Sequence, residues 1–176
     1  MKCNEKCQNI KTISIFALIF LVIGLIIFIS FNSPNTENKS ILVAIARPGD
    51  NTQVGNAIIN FSDNQIVEGT GLSHTPGSNQ IMINEDGIYQ ISYQLEGDAQ
   101  QLGRFNFNAI LIVNNVPLED TENDGPVITE NIVNNRMTLT STVILRLNAG
   151  DILQLGGLSL EDIIYSNARI DIEKIL

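Results

Sequence analysis

The sequence is poor in the residues that build catalytic centres and disulfide frameworks. Its 176 residues include no tryptophan, one histidine and two cysteines. Cys3 and Cys7 both precede a long apolar run, so the rest of the chain has no disulfide framework. His74, in the loop-like stretch 73–77, stands alone. A histidine-based triad or a multi-histidine metal site within one chain is therefore excluded.

Charged residues are also scarce, and their signs are unevenly spread. They make up 16% of the chain, below the roughly 25% of an ordinary soluble domain. The net charge is −9, with +2 in residues 1–12 and −11 in residues 41–176. An acidic domain repels phosphate backbones, so the composition argues against nucleic acid as a partner.

One apolar block near the N-terminus predicts the topology. From Ile13 through Leu21 to Phe31 the sequence has 19 residues without a charge. As a helix this block spans about 28 Å, close to the bilayer core, so we expect a transmembrane anchor in contact with lipid. The alternative is a cleaved signal peptide, but the run is long and bulky Phe31 occupies a position that cleavage requires to be small.

The lysines that precede the block orient it. They predict a cytoplasmic N-terminus and a C-terminal domain outside the cell or on another outer surface. The expected order is a cytoplasmic tail (1–12), a signal-anchor helix (13–31), a polar linker (32–40) and an outer domain (41–176). The linker composition is that of a flexible spacer.

The outer domain has the periodicity of β-strands throughout. Apolar residues recur at every second position, and Gly, Asn and Asp clusters separate eight to ten short segments. In 88–95 and 137–147, apolar and polar side chains alternate between two faces. The pattern predicts an all-β, antiparallel two-sheet sandwich with one face of each sheet in the core.

Three motifs in this domain resemble a known superfamily. They are Gly87-Ile88-Tyr89-Gln90-Ile91-Ser92-Tyr93, the strand and Val-Asn turn of 109–115, and the Leu-x-x-Gly-Asp hairpin of 145–155. Their order and spacing are similar to those of complement-type and tumour-necrosis-factor-like jelly rolls. The likeness is nearest to the C-terminal domains of collagen-like glycoproteins of spore surfaces (the exosporium), but the collagen stalk is missing here. The resemblance implies a jelly roll that forms a homotrimer and is not an enzyme.

A trimer needs a surface for its neighbours, and two strands offer one. The faces opposite the predicted core carry small, β-branched or uncharged side chains. They are Gln90, Ser92, Gln94, Thr140, Thr142 and Ile144. We expect them to form the interface, although a solvated outer face has the same composition.

The acidic loop is the one candidate metal site. Asp120, Glu122 and Asp124 alternate before Gly125, as at the start of a calcium loop. Position twelve from Asp120 is Asn131 where such loops have Glu, so a solvated loop is the better interpretation. We expect no cofactor.

The sequence thus predicts a membrane-anchored, surface-exposed, trimerising jelly roll that acts by binding or display. Its surface ligand is not identified. One alternative is a carbohydrate-binding or hydrolytic β-sandwich, which would need an aromatic platform or a carboxylate pair. A further alternative is a purely structural coat component that only oligomerises its anchors.

Overall fold

A computed structural model of the chain describes residues 39–50, 55–99, 108–124, 136–159 and 163–176. The alternating segments form antiparallel β-strands in two sheets. The strands in chain order are β1 (Ile41–Ala46), β2 (Ala57–Ile58), β3 (Asp63–Glu68), β4 (Leu72–His74), β5 (Ile81–Ile83), β6 (Gly87–Ala99), β7 (Asn108–Val113), β8 (Val116–Pro117), β9 (Asn123–Asp124), β10 (Arg136–Leu147), β11 (Ile152–Leu158) and β12 (Ile163–Lys174).

The first sheet has five strands in the order β10-β6-β12-β1-β3. Its long strands are the ones with the clearest alternation, because a period of two lets one face pack while the other faces outward. Tyr89, Ile91 and Leu95 of β6 are fully buried, as the alternation predicts. β10 is an edge strand, since β6 is its one ladder partner among the described strands.

The second sheet has seven strands, with β4-β5-β11-β7-β8 as its main path. β2 pairs with β11, and β9 pairs with β7. The turn between β7 and β8 contains Asn114 and Asn115 at φ 52° and 64°. Asparagine tolerates this left-handed conformation better than most residues, which explains the Asn-Asn pair.

Aliphatic side chains, three tyrosines and Phe61 fill most of the space between the sheets. Each tyrosine hydroxyl donates a hydrogen bond to a loop carbonyl. Tyr89 reaches Glu85 O at 2.7 Å, Tyr165 reaches Gly55 O at 2.6 Å, and Tyr93 reaches Thr121 O. Burial raises the pKa of all three phenols, so they remain protonated donors at neutral pH.

One local interpretation of the sequence was wrong. His74 ends strand β4 and is partly buried, with Nδ1 2.5 Å from Asn64 Oδ1, where a loop had been expected. Gly156 and Gly157 lie inside strand β11.

Residues Glu37–Leu176 form a compact unit, and the hydrophobic core of the described residues lies inside it. The chain enters and leaves this unit side by side, because Lys174 N donates to Ser40 O at 2.9 Å. Within the described part of the chain no helix is long and apolar enough to cross a bilayer. The predicted anchor, residues 13–31, lies outside the described residues.

Candidate functional site

The five-stranded sheet has one face in the core and a second face turned outward, which we call the open face. Its described side chains are Gln90, Ser92, Gln94 and Glu96 of β6, Thr138, Thr140, Thr142, Ile144 and Arg146 of β10, Arg169, Asp171 and Glu173 of β12, Ile41, Val43 and Ile45 of β1, and Ile66 and Glu68 of β3.

The six residues predicted for the interface lie together on the open face. The register pairs Gln90 with Ile144, Ser92 with Thr142 and Gln94 with Thr140. Directly opposed side chains in an antiparallel pair contact each other, and the Ser92 and Thr142 hydroxyls are hydrogen bonded at 2.9 Å. The structure therefore brings these residues together. It does not test whether another copy covers them.

Strand β12 adds an ion pair at the centre of this face. Arg169 Nε donates to Asp171 Oδ2 at 2.9 Å, and its Nη2 lies 2.8 Å from Oδ1. The Asp171 carboxylate raises the pKa of Arg169 above its ordinary value. The register sets Asp171 directly beside Ser92.

Two shallow depressions surround this ion pair. One, of about 430 Å³, is lined by polar side chains that include Gln94, Thr140 and Thr142. The other, of about 220 Å³, extends towards Ile41 and Val43. Both are bordered by Ser92, Arg169 and Asp171, so they are two parts of one concave surface.

Each edge strand of this face carries one exposed aliphatic side chain. Ile144 on β10 is 61% exposed and Ile66 on β3 is 42% exposed. A single exposed aliphatic side chain is normal at a protein surface, so neither residue marks a contact by itself.

The acidic loop is described up to Asp124, and the remaining positions of the candidate calcium loop, 125–131, lie outside the described residues. Asp120 lies in a single 3₁₀ turn, Glu119–Thr121, and Glu122 accepts a hydrogen bond from Asn108 Nδ2 at 2.5 Å. Asp124 ends β9, beside Asn108 in the register. Among the residues that the structure describes, no group of three or more Asp, Glu, His or Cys side chains is placed to hold a metal ion. Calcium binding here stays an untested prediction.

Sequence reasoning missed Arg169 and Asp171. Their signal was present, because the alternation of β12 sets both opposite the buried Ile170 and Ile172. Their place beside Ser92 depends on the strand order, which places β12 between β6 and β1. No local pattern specifies that order.

The fold of the described domain occurs in solved structures of other proteins. No family model matches the chain, and no curated protein matches it. Solved structures do. The globular domain of zebrafish complement 1qA protein is similar with a TM-score of 0.56 and 10% identity, over 78% of this chain and 98% of that one. Murine APRIL at pH 8.0 is similar with a TM-score of 0.52 and 13% identity, over 78% and 99%.

These similarities identify the fold. The described domain has the jelly-roll fold of these two structures, and this is the fold that the three sequence motifs predicted. At 10% and 13% identity the likeness concerns the fold alone. The closer likeness to spore-surface glycoproteins stays a prediction.

Proposed function

We propose that this chain is a membrane-anchored surface protein whose jelly-roll head forms a homotrimer through the open face and acts by binding or display, without catalysis. The observation that carries the proposal is the open face itself. It is concave, hydroxyl- and amide-rich, and bordered by exposed Ile144 and Ile66.

The charges of β12 on this face are paired, and this pairing favours contact with a second protein surface. Arg169 is neutralised by Asp171, and Glu173 by Lys39 at 3.0 Å. Paired charges can enter an interface at a lower desolvation cost than unpaired ones. The threonines and Ser92 are short, so a neighbouring backbone can approach closely. The trimer that the superfamily resemblance implies supports the same choice of partner.

The first test is the mass of the Glu37–Leu176 unit in solution, because this unit contains the hydrophobic core of the described residues. Light scattering on a sizing column should give three times the mass of one chain. Thr142→Lys places a cation among the six residues proposed for the interface and should shift the protein towards a single chain. Val116→Lys is the matched control, since Val116 is 60% exposed on the other sheet. A parent protein that stays a single chain at micromolar concentration contradicts the proposal.

The anchor and its orientation can be tested with the native cysteines. Cys3 and Cys7 are the only thiols and precede the proposed anchor. A membrane-impermeant maleimide should leave them unlabelled in intact cells and label them after lysis. With both changed to serine, Val116→Cys should be labelled in intact cells. Labelling of Cys3 and Cys7 from outside would contradict the orientation.

The carbohydrate-binding alternative depends on the same concave surface. Among the described side chains that line it, the one aromatic residue is Tyr93, which points into the core. Sugar sites commonly use an exposed aromatic ring, so this surface gives glycans little to stack on. Saturable binding on a glycan array would favour the alternative, and self-association without any other captured partner would favour the purely structural one.

A further inference from the structure

The open face ends in two different edges, and each edge carries an exposed apolar side chain next to a charged one. On β10 these are Ile144 and Arg146, and on β3 they are Ile66 and Glu68. Within each pair the residues are two apart on one strand, so both side chains point outward on the same face. The core positions Leu145 and Leu147 flank Arg146 and confirm its direction.

The charges at the two edges lack the partners that other charges of this face have. Arg136 binds Asp98 at 3.0 Å, and Arg169 and Glu173 are paired as described above. Arg146 and Glu68 make no ion pair or side-chain hydrogen bond within the described part of the chain. The two edges are therefore complementary: one is apolar and basic, the other apolar and acidic.

Strand β10 is also a long edge strand. It is 12 residues long, and β6 is its one ladder partner among the described strands. A long edge strand presents free N–H and C=O groups and is a known site of association between chains. An exposed isoleucine on such an edge favours a partner that covers it.

We infer that the β10 edge of one copy packs against the β3 edge of the next copy, so that Arg146 pairs with Glu68 of the next copy and Ile144 packs on its Ile66. The ladder register sets Ile66 level with Thr142, so these contacts shift the next sheet by two residues, about 7 Å, and tilt the strands by about 20° to the ring axis. This inference rests on the proposed trimer and assigns its contacts. Because the two edges differ, the contact is head-to-tail and repeats around a ring.

The width of the sheet sets the size of that ring. Adjacent strands lie about 4.8 Å apart, so five strands span about 19 Å. If three such sheets form the sides of a triangle, each sheet lies about 5.5 Å from the threefold axis. The side chains on a packed sheet face reach about 5 Å, which is half the distance between two packed sheets. Side chains therefore fill the centre of a three-sheet ring. Four sheets would lie about 10 Å from the axis and leave a cavity.

Cysteine cross-linking tests the contact directly. The Glu37–Leu176 unit has no cysteine, and positions 144 and 66 lie at opposite edges of the sheet, too far apart for a disulfide within one chain. Ile144→Cys/Ile66→Cys should oxidise to covalent trimers, and each single variant should give none. Covalent dimers of Ile144→Cys alone would show a two-fold contact and overturn the inference, as would a double variant that stays uncross-linked.

Charge reversal tests the same contact independently, through the dissociation constant of the trimer. Arg146→Glu and Glu68→Arg each place like charges at every contact and should raise the dissociation constant at least tenfold, whereas the double reversal should restore the parent value. Glu119→Arg, an exposed charge change on the 3₁₀ turn, is the control. A trimeric parent with unaffected single variants overturns this inference but leaves the proposed function. A monomeric parent overturns both.

Discussion

A methyl group added at Gly157 collides with the ring of Tyr165, and this collision allows a quantitative prediction. Gly157 lies in the interior of β11, and a Cβ built on it falls within contact distance of Cε1, Cζ and the hydroxyl oxygen of Tyr165. Tyr165 is fully buried, so its ring has no solvent into which to move. The position tolerates no side chain, which explains a glycine inside a strand where glycine normally weakens pairing.

Two costs determine the magnitude. Forcing an extra methyl into a packed core costs about 1–3 kcal/mol. A displaced ring also lengthens the Tyr165 hydroxyl bond to Gly55 O, now 2.6 Å, and the loss of a buried hydrogen bond costs about 1 kcal/mol. Gly157→Ala should therefore lower the free energy of unfolding by about 2–4 kcal/mol.

Urea denaturation of the Glu37–Leu176 unit at one fixed protomer concentration measures this change, because the stability of an oligomer depends on concentration. The midpoint should fall at an unchanged m-value. Gly77→Ala is the control: Gly77 has φ +89° but nothing within 4 Å of its Cβ position, so only backbone strain of about 1 kcal/mol is expected.

A double-mutant cycle identifies the cause. Tyr165→Leu removes the ring atoms that meet the new methyl, so Gly157→Ala should cost markedly less in that background, with a coupling of more than about 1 kcal/mol. A loss below about 0.5 kcal/mol for Gly157→Ala in the parent protein would refute the packing argument, since such a change is typical of surface sites.

Two further predictions concern buried and paired polar groups. Tyr93→Phe removes the hydroxyl that binds Thr121 O and should cost about 1 kcal/mol of unfolding free energy, measured by urea denaturation; no change would mean that Thr121 O finds another donor. The pKa of Glu85 is lowered by its hydrogen bond to Lys174 at 2.7 Å, so its stabilisation is present above the ordinary carboxylate pKa and is lost as the pH falls through the lowered value. In Glu85→Gln the free energy of unfolding should therefore fall less steeply than in the parent protein as the pH decreases below 5. An unchanged dependence of the unfolding free energy on pH would contradict that role.

The alternation of polar and apolar residues was sufficient to predict the long strands. β10 begins one residue earlier than the predicted 137–147, and β6 includes the predicted 88–95 but extends to Ala99. The position of both strands follows from local physics, because a strand with one buried face repeats every second residue. β4 was missed, since three residues are too short to show a period and Pro76 and Gly77 favour a turn.

The predicted interface residues show where local information ends. Gln90, Ser92 and Gln94 were placed outward by β6 alone, and Thr140, Thr142 and Ile144 by β10 alone. That the two triplets oppose each other one to one depends on the ladder register between strands about 50 positions apart. A register of this kind is set by which faces are buried across the whole sheet.

By itself the sequence determined the all-β class, the outward-facing residues of the long strands, the absence of a disulfide framework after Cys7 and the three motifs of the jelly roll. Each of these depends on neighbours in the chain or on composition. Only the tertiary structure decided that Arg169 and Asp171 lie between the two predicted triplets and β1. It also decided that the ring of Tyr165 occupies the space where a side chain at Gly157 would lie, and that Ile144 and Ile66 lie on the two edge strands of one face. These relations join residues far apart in the chain, so only the order and packing of the strands could fix them.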